Sequence, residues 1–357
     1  MASLDPTAAS PGVPVATWVK RILGGALLVF VGFAGWTGIK FWQSWNSLDR
    51  LAFNLDEVKE RLPPITPPAD GAEEIETFAS VELDDAAFNS FLIVGSDQLP
   101  GGGGARADVI LLFLFPEREA PAIVSLPRDL YVENPCTGQL TRINSTFNGC
   151  EDISGPELLG LTVSNLTGVE VDHFALFDFE GFKDVIDDVG GVTICVDNRV
   201  RDFDARLDLP AGCTEASGTQ ALAWVRTRKT QELVNGSWRA VPGQSDLTRN
   251  QHQQDVIFQL FERMKQFGSL GDLSGTVGKL GDAFTVDDDL SIPSAIDLAW
   301  NLRALGSDDF LRIEIPVTSH TTSAGADVLL METSFTEVLE SHFPTIATAA
   351  VTARSVN

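Results

Sequence analysis

Between residues 91 and 127 the chain holds three apolar runs in close succession, "FLIVGSD", "ADVILLFLF" and "PAIVSLP". Each has the length of a strand, is apolar throughout, and is separated from the next by turn-forming residues. A strand of this kind must be covered on both faces, because either face turned to water would expose a strip of hydrocarbon. The runs therefore predict a central sheet with helices packed on each side. The segments that follow supply them: "GPELLGLTVSNLTG", "EGFKDVIDDVGG", "GTQALAWV" and residues 248–267 have helical spacing. Between them, "HFALFDF" and "VTICV" read as strands. "SAIDLAWNLRAL" and "FLRIEIP" add one more helix and strand. Strands alternating with helices specify an α/β fold, a mixed central sheet sandwiched by helices.

The N-terminal region has a different character. "ILGGALLVFVGFAGWTGI" is uncharged and flanked by Lys20, Arg21 and Lys40. As a helix it would be about 27 Å long, enough for a hydrocarbon core, and Trp36, Trp42 and Trp45 suit the aromatic belt at its far side. With no small-residue cleavage site after it, the run predicts an uncleaved signal anchor over 22–42, with a cytoplasmic tail over 1–21. Residues 43–77 are expected to form a helical stalk and a Pro-rich acidic linker. The folded domain is expected over 78–344, outside the membrane, and 345–357 as a loose tail. A net charge of -25 argues against nucleic acid as a partner. The four cysteines form no CxxC motif, which disfavours zinc or redox chemistry. In an oxidising compartment, sequential pairing as Cys136–Cys150 and Cys195–Cys213 would close two short loops, each worth roughly 3 kcal/mol. Four buried thiols are the alternative.

Several chemistries are missing. The four His residues, His173, His252, His320 and His342, are scattered without an HExxH, and there is no GxSxG elbow. "GTVGKL" lacks the leading Gly and the hydroxyl residue of a phosphate loop, and "GGGG" at 101–104 matches no fingerprint. What is present is charge at strand ends: Asp97 after the first run, Arg106 and Asp108 at the start of the second, Arg128 and Asp129 after the third. These either cap the strands as salt bridges or form a site for phosphate and Mg²⁺, which is held by carboxylates, substrate oxygens and water. In "ALAWVRTRK", Arg226 and Arg228 would diverge on a helix but share a face in extended chain. The helix is therefore expected to end near Trp224. In "SDLTRNQHQQ", Arg249 and Gln253 continue the apolar stripe of Val256, Ile257, Leu260, Phe261 and Met264 back to a helix N-terminus, where free N–H groups favour anions.

Read together, "FLIVGSD", "ARADVILL", "VSLPRDLYV", "RINSTFNG", "LTGVEVDHFALFDFEGFKDVIDDVGGV", "QALAWVRTRK" and "DLTRNQHQQ" resemble the LytR-CpsA-Psr family of cell-wall assembly enzymes. The resemblance covers roughly residues 88–266 and continues more weakly to about 316. It implies a phosphotransferase that moves a glycopolymer from a polyprenyl-pyrophosphate carrier onto peptidoglycan with Mg²⁺. Catalysis would fall to Asp108, Arg128, Arg226 and Arg228, and the metal to Asp97 and Asp108. Arg106, Arg128, Arg226, Arg228, Arg249 and Gln253 would hold the pyrophosphate, with Asp129 and Asp246 orienting arginines. His252 stands where the family usually has another Arg, and the Gly-rich insertion after Asp97 departs from the pattern. The cysteine pairs look like the actinobacterial branch, which would suggest arabinogalactan or a similar polysaccharide as cargo. A lipid-pyrophosphate hydrolase and a non-catalytic polyprenyl-phosphate binder are the alternatives.

Overall fold

The structure is a computed structural model that describes residues 45–46, 48–64, 88–96, 106–116, 119–242, 246–265, 284–291, 293–294 and 305–343. The expected membrane anchor and the C-terminal tail lie outside these residues. Among the described residues, no helix is long and apolar enough to cross a membrane.

The chain begins with β1 (Asp49–Leu51), α1 (Leu55–Arg61), β2 (Phe88–Ser96), β3 (Ala107–Pro116) and β4 (Ala122–Ser125). It continues through β5 (Tyr131–Glu133), β6 (Leu140–Arg142), α2 (Ile143–Thr146), α3 (Gly155–Thr167), β7 (His173–Asp178) and α4 (Phe179–Asp188). Then come β8 (Val192–Val196), β9 (Val200–Asp202), β10 (Leu207–Leu209), β11 (Gly212–Ala216) and α5 (Gly218–Arg226). After these follow β12 (Gln231–Val234), β13 (Ser237–Ala240), α6 (Asp246–Lys265) and β14 (Phe284–Asp287). The last elements are β15 (Leu311–Glu314), β16 (Val317–Thr321), β17 (Asp327–Met331) and α7 (Phe335–His342).

Seven strands form one sheet in the order β1-β14-β7-β2-β3-β4-β15. It is mixed: β1 with β14, β2 with β7 and β4 with β15 are parallel, and the other pairs antiparallel. The three apolar runs are β2, β3 and β4, adjacent near the middle. Both faces of these strands are covered, as their composition requires. On β3, Ile110, Leu112 and Leu114 join a core with α1, α3 and α7. Their neighbours Val109, Leu111 and Phe113 join a second core with α4, α5 and α6.

Local signals explain helices on both faces of the sheet. In α3, Ser154 and Glu157 form a reciprocal capping box, and Gly168 ends the helix at φ 70°, a conformation costly for any residue with a Cβ. Helix α4 starts on Asp178, whose side chain accepts the Gly181 N–H. Both cysteine pairs are disulfides. Cys195 and Cys213 face each other across the β8–β11 ladder.

The N-terminal boundary differs from the expected one. Residues 49–61 are not a stalk: β1 pairs in parallel with β14, and Phe53, Leu55 and Val58 are buried. Phe53 stacks on Phe174 at 5.2 Å, and Arg61 Nη2 reaches Glu157 Oε1 at 2.6 Å. The helical spacing accounts only for α1, which Asn54 caps through the Glu57 N–H. Residues 49–51 instead extend the sheet beyond β14, a partner distant in sequence that local pattern does not reveal.

Candidate active site

Strand β4 runs into a turn over residues 127–130, closed by the Leu130 N–H donating to the Pro127 carbonyl (3.0 Å). Pro127 fixes its own φ and so presets the bend. Outside partners lock the turn: Asn144 N–H donates to the Arg128 carbonyl (3.1 Å), Ile143 N–H to the Leu130 carbonyl (2.7 Å) and Leu329 N–H to the Asp129 carbonyl (2.9 Å). Arg128 pairs with Asp108 of β3. Asp129 faces three arginines: Arg128 Nε at 3.4 Å, Arg142 Nε at 3.6 Å and Arg228 Nη2 at 3.8 Å. The "PRD" charges thus do more than cap their own strand. Asp129 is a shared brace for arginines from three segments.

Helix α5 is capped by Ser217 and Gln220 and runs through Arg226. It does not stop near Trp224 as expected, because the Thr227 N–H still reaches the Trp224 carbonyl (3.4 Å). The chain leaves the helix at Thr227 (φ −61°, ψ 139°). That residue is buried, its hydroxyl donating to Asp202 Oδ2 (2.6 Å). Turning the chain inward at this one residue brings Arg226 and Arg228, on either side of it, to the same pocket.

Asp202, at the end of β9, holds this corner. Its Oδ2 also accepts the N–H groups of Arg228 (3.1 Å) and Lys229 (2.9 Å), and its Oδ1 those of Asp204 (2.9 Å) and Ala205 (3.3 Å). Burial would raise the carboxyl's pKa, but the Thr227 hydroxyl and the backbone N–H groups outweigh it and hold the pKa at about 2. The sequence reading missed Asp202. Its only signal was an acidic residue in "VRDFD", indistinguishable from the many surface carboxylates of this chain.

From α6, Arg249 and Gln253 are buried, and Gln253 Nε2 donates to the Val225 carbonyl (3.4 Å). Val256, Ile257 and Leu260 continue the apolar stripe into the core, as the spacing predicts. The side chains of Phe261 and Met264 lie outside the described residues. Together these elements enclose a pocket of about 380 Å³. Its wall combines Asp108, Arg128, Arg226, Arg228, Lys229 and Arg249 with Phe177, Phe179, Phe182, Leu222 and Ile257. Arg226 lies 4.7 Å over the Phe179 ring and makes no ion pair among the described residues. Gly95 admits one wall: a Cβ there would sit 2.6 Å from Phe177 Cζ. Five cations against three carboxylates make the pocket locally positive in a chain of net charge -25. Charged arginines beside apolar walls suit a phosphorylated group attached to a hydrocarbon.

A family model described as the LytR_cpsA_psr family matches residues 67–342. The chain belongs to this family. It is 35% identical over 170 residues to the probable cell wall biosynthesis protein LcpB of Corynebacterium glutamicum, covering 44% of this chain and 40% of that one. Over 228 residues it is 28% identical to the polyisoprenyl-teichoic acid–peptidoglycan teichoic acid transferase TagU of Bacillus licheniformis, covering 63% of this chain and 66% of the relative. The alignments thus span between two fifths and two thirds of these relatives' lengths. Among solved structures, the LytR-Csp2A-Psr enzyme from Actinomyces oris matches with TM-score 0.60 at 24% identity, covering 75% of this chain and 94% of that one. TagV of Bacillus subtilis matches with TM-score 0.58 at 23% identity, covering 72% and 98%. The LytR_cpsA_psr fold is shared.

Within this fold the sequence candidates divide. Asp108, Arg128, Arg226, Arg228, Arg249 and Gln253 line one pocket, and Asp129 stands behind it on Arg128 and Arg228. Arg106 is exposed just before β3 and is not part of the pocket wall. Asp97 and the Asp246 side chain lie outside the described residues. His252 does not line the pocket: it stacks on Trp224 with ring centroids 3.9 Å apart. Burial lowers its pKa to about 4, so it is neutral at physiological pH and does not replace the charge of an arginine. Among the described residues, no three His, Cys, Asp or Glu side chains converge on a metal position. Of the two carboxylates expected to serve a metal, Asp108 reaches the pocket wall, paired there with Arg128; one or two carboxylates are what Mg²⁺ takes from a protein, the rest of its shell being phosphate oxygens and water.

Proposed function

We propose that this protein transfers a glycopolymer from a polyprenyl-pyrophosphate carrier to a hydroxyl of peptidoglycan. One observation carries the reading: arginines from the 127–130 turn, the end of α5 and α6 gather around a pocket that also has an apolar wall of Phe177, Phe179, Phe182, Leu222 and Ile257. TagU and its namesakes are named as teichoic acid–peptidoglycan transferases, which supports a wall-polymer transfer. The acceptor oxygen attacks the sugar-linked phosphorus and forms a new P–O bond. The pyrophosphate bridge breaks, polyprenyl phosphate leaves, and the acceptor's proton ends on that product. Arg128, Arg226, Arg228 and Arg249 take up the charge that spreads over the phosphoryl oxygens and onto the leaving group. Arg128 and Arg228 are fixed before the substrate arrives, by Asp108, Asp129 and, through the backbone, Asp202. Mg²⁺, when bound, would neutralise further phosphate charge, with Asp108 and Asp97 as its protein ligands. The transfer would occur on the outer side of the membrane, with residues 22–42 as anchor, and arabinogalactan is the cargo we favour.

The test uses the full chain in detergent with a lipid-pyrophosphate sugar and peptidoglycan fragments, the products weighed by mass spectrometry. The expected product is a fragment heavier by the sugar phosphate, formed with polyprenyl monophosphate and abolished by Asp108→Ala without loss of folding. Release of free sugar phosphate alone would replace this reading with a hydrolase, and intact donor throughout with a lipid binder.

A further inference from the structure

A second groove, of about 540 Å³, shares Asp202 with the phosphate pocket and is otherwise lined by the β9–β10 hairpin and Trp238 of β13. Its chemistry differs. Phe203 at the hairpin turn is 74% exposed, the large hydrophobic side chain that the described residues leave in water. Arg201 is keyed between two rings, 3.9 Å from that of Trp238 and 4.6 Å from that of Phe203, and its Nε donates to Gln231 Oε1 at 3.0 Å. This fixes the inner side of the Phe203 ring and leaves its outer side to solvent. Arg199 is neutralised by Asp208 through two hydrogen bonds of 2.9 and 2.6 Å. The exposed side chain of Arg206 has no hydrogen bond or ion pair among the described residues, and its residue holds φ at 58°. The turn therefore presents an aromatic face and a bare guanidinium together, in a chain whose surface charge is overwhelmingly negative.

We infer that this groove binds the acceptor, a glycan strand of pyranose rings carrying carboxylates. The C–H face of a pyranose packs on an aromatic face, and a carboxylate on the sugar meets Arg206 as a charge-assisted pair. A neutral glycan would leave Arg206 unused, and a protein partner needs a broader apolar area than one ring. The placement follows from Asp202. One of its oxygens holds the N–H groups of the groove turn at Asp204 and Ala205. The other holds Thr227, Arg228 and Lys229 beside the phosphates. A strand lying in the groove is thereby brought alongside the pyrophosphate it must attack. The inference rests on the transferase reading for its role, but its binding test stands apart from it.

The probes are a tetrasaccharide of alternating N-acetylglucosamine and N-acetylmuramic acid, and chitotetraose, which lacks the carboxylates. Each is titrated into the full chain in detergent by calorimetry, with no donor present. We expect the carboxylated tetramer to bind, and chitotetraose, Phe203→Ala and Arg206→Gln each to weaken binding by about fivefold. In the transfer assay both variants should raise the acceptor KM by a similar factor with kcat unchanged. No binding by the wild type, or equal binding by wild type and both variants, overturns the groove. Failure of transfer by a wild type that binds the tetramer overturns the proposed function and leaves the groove standing.

Discussion

The two faces of the central sheet are built from alternate residues of the same strands, yet they do different work. On one face, Leu92, Ile110, Leu112 and Leu114 pack against α1, α3 and α7 in an aliphatic and aromatic core. On the other, Val109 and Phe177 meet α4, α5 and α6 around the arginine-lined pocket, and the buried set there includes Arg249 and Gln253. The closed face gains the full benefit of burial. The open face gives some of it up to keep a charged cavity, and recovers rigidity through hydrogen bonds to Asp202 and ion pairs to Asp108 and Asp129. Stability and chemistry are thus separated by the pleat of β3, one residue apart.

That separation can be broken experimentally. The largest effect belongs to the closed face: Leu112, fully buried, changed to Ala should cost about 3 kcal/mol through lost burial and a cavity. Urea unfolding reads the cost, while transfer per folded molecule should not change; a loss of activity at full folding would show that the faces are coupled. A smaller effect comes from acid on the open face. His252 has a folded pKa of about 4 against 6.5 for the free side chain, so the unfolded chain binds its proton first. Its contribution is complete above pH 6.5 and is lost as pH falls toward 4, about 2 kcal/mol of it by pH 5. His252→Leu should flatten that window in urea titrations at pH 7 and 5; an unchanged slope would assign the acid sensitivity elsewhere. The smallest effect is local. Asp202→Asn keeps the shape and removes the charge that gathers five donors, and should cost about 1.5 kcal/mol. It should lower kcat for transfer about tenfold as Arg228 loosens; a change in stability without one in kcat would reduce Asp202 to a structural role.

How far the sequence reached follows the range of the interactions involved. Strands β2, β3 and β4 and helices α3, α4 and α5 were legible because apolar runs and caps are local. The pairing of residues 49–51 with β14 was not, since it joins segments over 230 residues apart, and helical spacing in the neighbouring residues masked it. The arginines were legible as residue types, and their "RTR" spacing pointed to a shared face. The point where α5 ends was not, because a buried hydrogen bond from Thr227 to a distant Asp202 decides it. Asp202 itself was invisible for the same reason: its partners are backbone N–H groups, which leave no mark in side-chain pattern. "VTICV" was found as a strand, but its place outside the main sheet depends on pairing with β11.

The central claim is that Arg226 and Arg228 grip a pyrophosphate as planar forks, and one measurement meets it head-on. Wild type, Arg226→Lys and Arg228→Lys are titrated with a soluble short-chain prenyl pyrophosphate by calorimetry, and each protein's melting temperature is recorded alone. Lysine keeps the charge but lacks the fork. Loss of a charge-assisted hydrogen bond in a partly dry site costs roughly 1.5–3 kcal/mol, about 10- to 150-fold in affinity. The account predicts at least about tenfold weaker binding by each variant with melting temperatures unchanged. Equal affinity in all three proteins would contradict it, leaving the two arginines as surface charge beside a pocket that serves something else.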